Sequence, residues 1–266
     1  MRGAAGAGAL AALLLAACAP GASHPPVFLD SDTGYLAPAD LARLAQAVPP
    51  PPAPGSATDR ADKAASARYA ALEDSDRWLL ATAHAELRPP LALQHFDCAL
   101  GVRLGSAETP ALDRVMARAF HDANAVAELA KARATRPRPV GDDPERRACQ
   151  RLDAAARDSA SYPSGSAAVG TAYAETFAAL EPGRAEAARR IGREIGISRL
   201  ICAMHYPSDV AAGEALGRAV AAEITAAPAF AEDAPAARAE LAAARASGRT
   251  SPGCAAERAA LATPLP

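Results

Sequence analysis

Residues 198–209 read SRLICAMHYPSD. Arg199 is followed by five residues and then His205; three more residues lead to Asp209. On a continuing helix this spacing sets a guanidinium and an imidazole just under two turns apart. Arginine is the side chain whose planar fork best matches phosphate oxygens. A histidine held by a carboxylate can act as a nucleophile or a base. Taken alone, the stretch suits a buried histidine paired for stability equally well.

The surrounding sequence is helical in pattern. Residues 184–204 place Ile191, Ile195 and Ile197 at apolar positions, and Pro207-Ser208 opens a further helix running towards Ala226, where Pro228 ends it. Residues 164–180 read as a helix stopped by Pro182-Gly183, and Thr109-Pro110 opens another with Leu112, Val115, Met116 and Phe120 on its apolar face. Residues 59–87 are helical in pattern around Trp78, with Tyr69, Leu72, Leu79 and Leu80 available for burial, and 91–102 form an apolar segment interrupted by His95 and Asp97. A short helix is expected over 37–47, with Leu41 and Leu44 on one face, and a surface helix over 234–246 with Pro235 in its first turn. Residues 137–160 look like a loop. The run PPPPAPGS at 49–56 fits either a linker or an extended strap on the domain. Alanine is abundant, aromatics are scarce and Val/Ile/Thr-rich alternation is rare. An all-α helical bundle with functional loops at one end is therefore expected.

The chain has 266 residues and a formal net charge of -2, with no basic block or acidic tail, so nothing suggests a nucleic-acid partner. Met1-Arg2 and the Ala/Leu run to Ala17 have the length of a signal peptide, too short for a confident membrane span. Leu15-Ala16-Ala17-Cys18 resembles a bacterial lipobox, which would make Cys18 the lipidated first residue of the mature chain. An ordinary signal cleaved slightly later is the alternative; both export the protein. Ala19 after the cysteine favours, by resemblance to other lipoproteins, anchoring to the outer membrane from the periplasm. The expected organisation is a signal peptide over 1–17, a lipidated tether over 18–34, one domain over 35–250 and a tail over 251–266. Nothing in the sequence decides between a monomer and a homodimer. Four cysteines remain, Cys98, Cys149, Cys202 and Cys254, with no CxxC spacing for a metal. An even number in an exported chain suggests two disulfides, and the pairing expected is Cys98–Cys149 with Cys202–Cys254.

Two upstream blocks add chemistry. KARATRPRP, residues 131–139, separates Lys131 from Arg138 by seven positions, although a solvated basic helix end explains it as well. SYPSGSA, residues 161–167, leads a Pro-Ser-Gly turn into a helix whose first N–H groups favour an anion. Ser164 there also suits an ordinary N-cap.

In this order and spacing the three blocks resemble the type 2 phosphatidic acid phosphatase superfamily, with its pattern KxxxxxxRP, PSGH and SRxxxxxHxxxD. Lys131, Arg138 and Pro139 match the first part, and Ser198, Arg199, His205 and Asp209 match the third. Pro163, Ser164 and Gly165 match the second. Tyr35-Leu36, LAQAVPPPPAPGS, Cys98-Ala99-Leu100-Gly101 and SYPSG resemble the class A bacterial non-specific acid phosphatases, over roughly residues 30–235. That likeness makes the proline run part of the domain and implies a bundle of the acid phosphatase/vanadium haloperoxidase type. It implies that Lys131, Arg138 and Arg199 neutralise phosphoryl oxygens, and that Ser164 and the Gly165 amide add hydrogen bonds. It further implies that His205 attacks phosphorus while Asp209 orients its ring, on a phosphomonoester substrate and with no metal or cofactor.

One residue departs from the pattern. The histidine of PSGH, which by resemblance protonates the leaving oxygen and later activates water, is Ser166 here. A hydroxyl performs neither task well near neutral pH. Three readings follow: a slow or substrate-restricted phosphomonoesterase, a non-catalytic phosphate-binding lipoprotein, and a vanadate-dependent peroxidase, which shares the pocket and also needs the missing histidine. His84, His95 and His121 are stand-in candidates outside any motif. The first reading is favoured, because a pure binder has no need of His205 and Asp209 together.

Overall fold

The computed structural model describes residue 1 and residues 33–104, 108–133 and 135–266. The expected signal segment beyond Met1, Cys18 and nearly all of the expected tether lie outside the described residues. Twelve α-helices and three short 3-10 turns make up the regular structure among the described residues, in agreement with the all-α expectation. No described helix is long and apolar enough to cross a membrane.

Helix α8 (Gly165–Leu180) is the axis of the bundle. Nearly every residue of GSAAVGTAYAETFAAL is buried, which marks a helix enclosed on all sides. Around it pack α5 (Pro110–Lys131), α9 (Ala185–Ile201) and α10 (Pro207–Ala226). Gly213 and Gly217 let α10 cross α8 closely, because a Cβ at either would collide with the Ser164 or Ala168 carbonyl. That crossing sets the start of α10 against the start of α8, where the Ser164 amide donates to the Asp209 carbonyl at 2.9 Å. Phe96, Tyr173 and Phe177 fill the core beside α8, and the Tyr173 hydroxyl donates to the Leu87 carbonyl at 2.7 Å. Each large apolar side chain buried in this way contributes about 1.5–3 kcal/mol.

The N-terminal part of the domain is tied down. The backbone N–H groups of Tyr35 and Leu36 donate to Asp122 at 2.7 and 3.1 Å, and α1 (Pro38–Gln46) packs Leu41 and Leu44 into the core. The proline run forms no regular element and lines a cleft with Asp59, Lys63 and Arg136. It ends in a turn where Gly55 has a φ of 73°, the left-handed region that suits glycine. Ser56 then caps α2 (Ala57–Arg68).

Several elements differ from the sequence expectations. The helical stretch expected over 59–87 is three pieces: α2, a 3-10 turn at Tyr69–Leu72, and α3 (Asp76–Ala83). The break lies at Asp74, which has a φ of 60°, and Ser75 caps the next helix. The segment around Cys98 includes the short α4 (Asp97–Leu100). The 137–160 loop contains α6 (Pro139–Asp142) and α7 (Ala154–Asp158). Pro228 opens α11 (Pro228–Ala246) as well as ending α10, so Pro235 lies inside that helix. The expected tail carries α12 (Cys254–Ala262), which packs against α3.

The disulfide pairing is Cys98–Cys254 and Cys149–Cys202, with Cα separations of 5.4 and 4.8 Å, and this overturns the expected Cys98–Cys149 and Cys202–Cys254. The reason is packing. Cys202 ends α9 inside a second apolar cluster with Trp78, Ala81, Val140 and Cys149, whereas Cys254 opens α12 beside α4. Each geometry lies in the normal Cα range for a bridge.

Candidate active site

Helix α9 stops at Ile201, four residues before His205, so Arg199 and His205 do not lie on one continuous helix as their spacing suggested. Ala203 takes a φ of 54°, and the amides of Met204 and His205 fold back onto the Arg199 carbonyl at 3.1 and 3.3 Å. This turn returns His205 to the end of α9. Tyr206 then caps α10, and the Asp209 carboxylate accepts the Tyr206 N–H at 2.7 Å.

The imidazole of His205 is buried, and both its nitrogens are bonded. Nδ1 lies 2.7 Å from the Ser161 carbonyl oxygen, which can only accept, so Nδ1 carries the proton. Nε2 lies 3.2 Å from Arg138 Nη1, which can only donate, so Nε2 keeps its lone pair. Asp209 does not touch the ring in hydrogen-bonding geometry; its Oδ2 is 4.0 Å from Nδ1. Instead Oδ2 accepts from the Ser161 hydroxyl at 2.6 Å, so Asp209 acts on the ring through Ser161.

Arg138 is buried and donates to the Met204 carbonyl and the Ser159 hydroxyl, both at 2.9 Å. Arg199 is 3% exposed; its Nη2 donates to Gln150 Oε1 at 2.8 Å, while its Nε and Nη1 have no partner among the described residues. Buried guanidinium donors left unpaired are costly unless an anion meets them. Lys131 ends α5 with Nζ 2.6 Å from Glu128, and a Cβ at Gly165 would lie 3.3 Å from that Nζ. Gly165 thus lets the ammonium approach the first turn of α8. Ser164 caps α8 by accepting from the Ala167 N–H at 3.2 Å. Ser166 sits half-buried in the same turn.

The charges act on one another. Burial, then Arg138, Arg199 and Lys131, push the His205 pKa well below its ordinary value, so the ring is neutral. Burial, then Arg138, lowers Arg199 to about 10. Burial lowers Lys131, against the pull of Glu128. Burial also raises Asp209, offset by bonds from Ser161, the Tyr206 N–H and Arg136.

Arg136 was not singled out in the sequence, because it lies outside the KxxxxxxRP register. It is buried and pairs with Asp209 at 2.6 Å, Asp62 at 2.8 Å and Asp59 at 3.1 Å, and it donates to Ser208 at 2.7 Å. This network fastens α2 to the start of α10. Arg136→Met should remove the shared countercharge of three buried carboxylates and cost about 3–5 kcal/mol, read as a lower urea midpoint; a loss under about 1 kcal/mol, typical of an exposed pair, would contradict this role.

The stand-in histidines are elsewhere. His84 bonds Ser198 Oγ at 2.8 Å, His95 bonds the Glu86 carbonyl at 2.7 Å, and His121 bonds Asp122 at 3.2 Å. None of these bonds reaches His205, Arg138, Arg199 or Lys131. Among the described residues, no group of three His, Cys, Asp or Glu is arranged to hold a metal ion.

A model of the PAP2 superfamily matches residues 116–232, which include every site residue from Lys131 to Asp209. A non-specific acid phosphatase of Salmonella typhimurium is 32% identical over 188 residues, covering 69% of this chain and 74% of that one. The chain belongs to the PAP2 superfamily. Within it, the similarity is to bacterial non-specific acid phosphatases, a family of phosphoric monoester hydrolases. An acid phosphatase of Zymomonas mobilis is 32% identical over 164 residues, 62% of each chain, so the match spans less than two thirds of that relative. A non-specific acid phosphatase of Providencia stuartii is 27% identical over 184 residues. The matched range holds all three motif blocks, Ser166 included.

Proposed function

We propose that the protein is an exported phosphomonoesterase acting through a phosphohistidine, with its substrates restricted by Ser166. The observation that carries this reading is the neutral His205, held with its Nε2 lone pair beside Arg138. Lys131, Arg138 and Arg199 bind the phosphoryl oxygens, aided by the Ser164 hydroxyl and the Gly165 amide. Nε2 of His205 attacks phosphorus as the bond to the leaving oxygen breaks. Nδ1 keeps its proton, and the positive charge that attack places on the ring is stabilised by the Nδ1–H bond to the Ser161 carbonyl, with Asp209 accepting from the hydroxyl of the same serine. Water then cleaves the P–N bond, releasing phosphate and restoring the neutral imidazole. Positioning and charge neutralisation supply most of the acceleration.

Ser166 leaves the departing oxygen to draw its proton from solvent. Aryl phosphates tolerate this, because a phenolate leaves readily; alkyl phosphates do not. Wild type should therefore hydrolyse an aryl phosphate faster than an alkyl phosphate by about 10² or more, the usual worth of a general acid. Equal rates on both would sink the restriction. The alternative, a phosphate-binding protein without turnover, is favoured only by Ser166; it would bind inorganic phosphate and release no product from either ester.

The pH profile carries a sign. His205 must be neutral to attack, and its pKa is depressed chiefly by burial. The acid limb of kcat/KM should therefore lie below the ordinary imidazole value of about 6.5. An acid limb at or above that value would contradict the environment assigned to the ring.

Export rests on the N-terminal segment and on two disulfides, which persist in oxidising compartments. Lipid attachment at Cys18, with the protein on the periplasmic face of the outer membrane, belongs to the same proposal. Labelling with a fatty-acid analogue in cells, lost in Cys18→Ser, tests it.

A further inference from the structure

The segment from Cys149 to Ser161 reaches four members of the site in turn. Gln150 Oε1 accepts from Arg199 Nη2 at 2.8 Å, and Ser159 Oγ accepts from Arg138 Nε at 2.9 Å. Ser161 accepts from His205 Nδ1 through its carbonyl and donates to Asp209 through its hydroxyl. The segment is fastened at both ends. Ser161 is buried at one end; at the other, Cys149, the residue before Gln150, is bridged to Cys202, three residues after Arg199. The bridge thus joins the backbone that carries Gln150 to the backbone that carries Arg199.

We propose that Gln150 is a positioning residue for phosphate recognition, that it holds Arg199 in its binding orientation, and that the Cys149–Cys202 bridge keeps it there. The inference rests on the phosphatase reading of the site. Arg199 is 3% exposed, and Gln150 is the acceptor of its Nη2. Its Nε and Nη1 are buried and unpaired among the described residues, which makes them the donors available to an anion. A neutral amide suits this position. It orients the guanidinium through one hydrogen bond, whereas a carboxylate would neutralise it and compete with phosphate. The second bridge, Cys98–Cys254, ties α12 to α4 and contacts none of these side chains, so it serves as an internal control.

The test measures binding of inorganic phosphate by calorimetry, and KM and kcat for an aryl phosphate. Gln150→Met keeps the bulk and removes the acceptor; it should raise Kd and KM about tenfold, with kcat changed less than about twofold. Gln150→Glu should weaken phosphate further, by roughly another tenfold, as its carboxylate pairs with Arg199. The double variant Cys149→Ser/Cys202→Ser should raise Kd in the same direction, whereas Cys98→Ser/Cys254→Ser should leave it unchanged. Thermal unfolding monitors the folded state of both double variants, and should the first fail to fold, the Gln150 variants decide. Wild-type Kd and KM in Gln150→Met, or a fall confined to kcat, overturns the proposal and leaves the phosphatase reading intact. No phosphate binding and no turnover by wild type overturns both.

Discussion

Ser166→His is expected to raise kcat/KM for an alkyl phosphate by about 10² to 10⁴, the range a general acid contributes. The gain for an aryl phosphate should be much smaller, because its leaving group needs little protonation. Ser166 lies half-buried in the first turn of α8, next in sequence to Gly165, which the ammonium of Lys131 approaches. An imidazole there would share the first turn of α8 with Gly165 and feel the positive charge of Lys131. Its proton affinity would fall, which suits a donor working in mild acid. Equal gains on both esters would point to better phosphate binding instead of leaving-group protonation. No gain on either would mean that this chain supplies the proton by another route.

His205→Ala should lower turnover of an aryl phosphate by about 10³ or more, the scale of losing a covalent nucleophile that works with its neighbours as a unit. The change removes a buried ring and leaves the Ser161 carbonyl and Arg138 Nη1 without that partner. Some loss of stability accompanies it, so circular dichroism and phosphate binding are the controls. Phosphate affinity should persist, because Lys131, Arg138 and Arg199 remain. A variant that is folded, binds phosphate and turns over at the wild-type rate would remove His205 from the chemistry.

The helical character of the domain was legible because long Ala-rich segments carry apolar residues at helical spacing, as in α5 and α9. The proline positions were less so. Pro228 closes one helix and opens the next, and Pro235 is accommodated inside α11, so a proline alone does not say which side of it is helical. The principal side chains of the candidate site, Lys131, Arg138, Arg199 and His205, were named from the order and spacing of the three blocks and their family resemblance. What orients them was not. The acceptor for His205 Nδ1 is a backbone carbonyl, which any residue provides, so nothing in the sequence marks Ser161 for that task. Arg136 meets Asp59 and Asp62 across separations of 77 and 74 residues, which no local pattern records. The disulfides were mispaired for a related reason. Which cysteines meet depends on how the 143–161 segment and α12 lie on the bundle, and four cysteines alone allow three pairings.

The central claim is that His205 Nε2 becomes covalently phosphorylated. The direct measurement mixes the protein with an aryl phosphate carrying labelled phosphorus and quenches in alkali, where a phosphohistidine survives. The expected result is label on the peptide containing His205, destroyed by acid and absent from His205→Ala. Steady turnover by wild type with no label on that peptide, or label retained in His205→Ala, would contradict it.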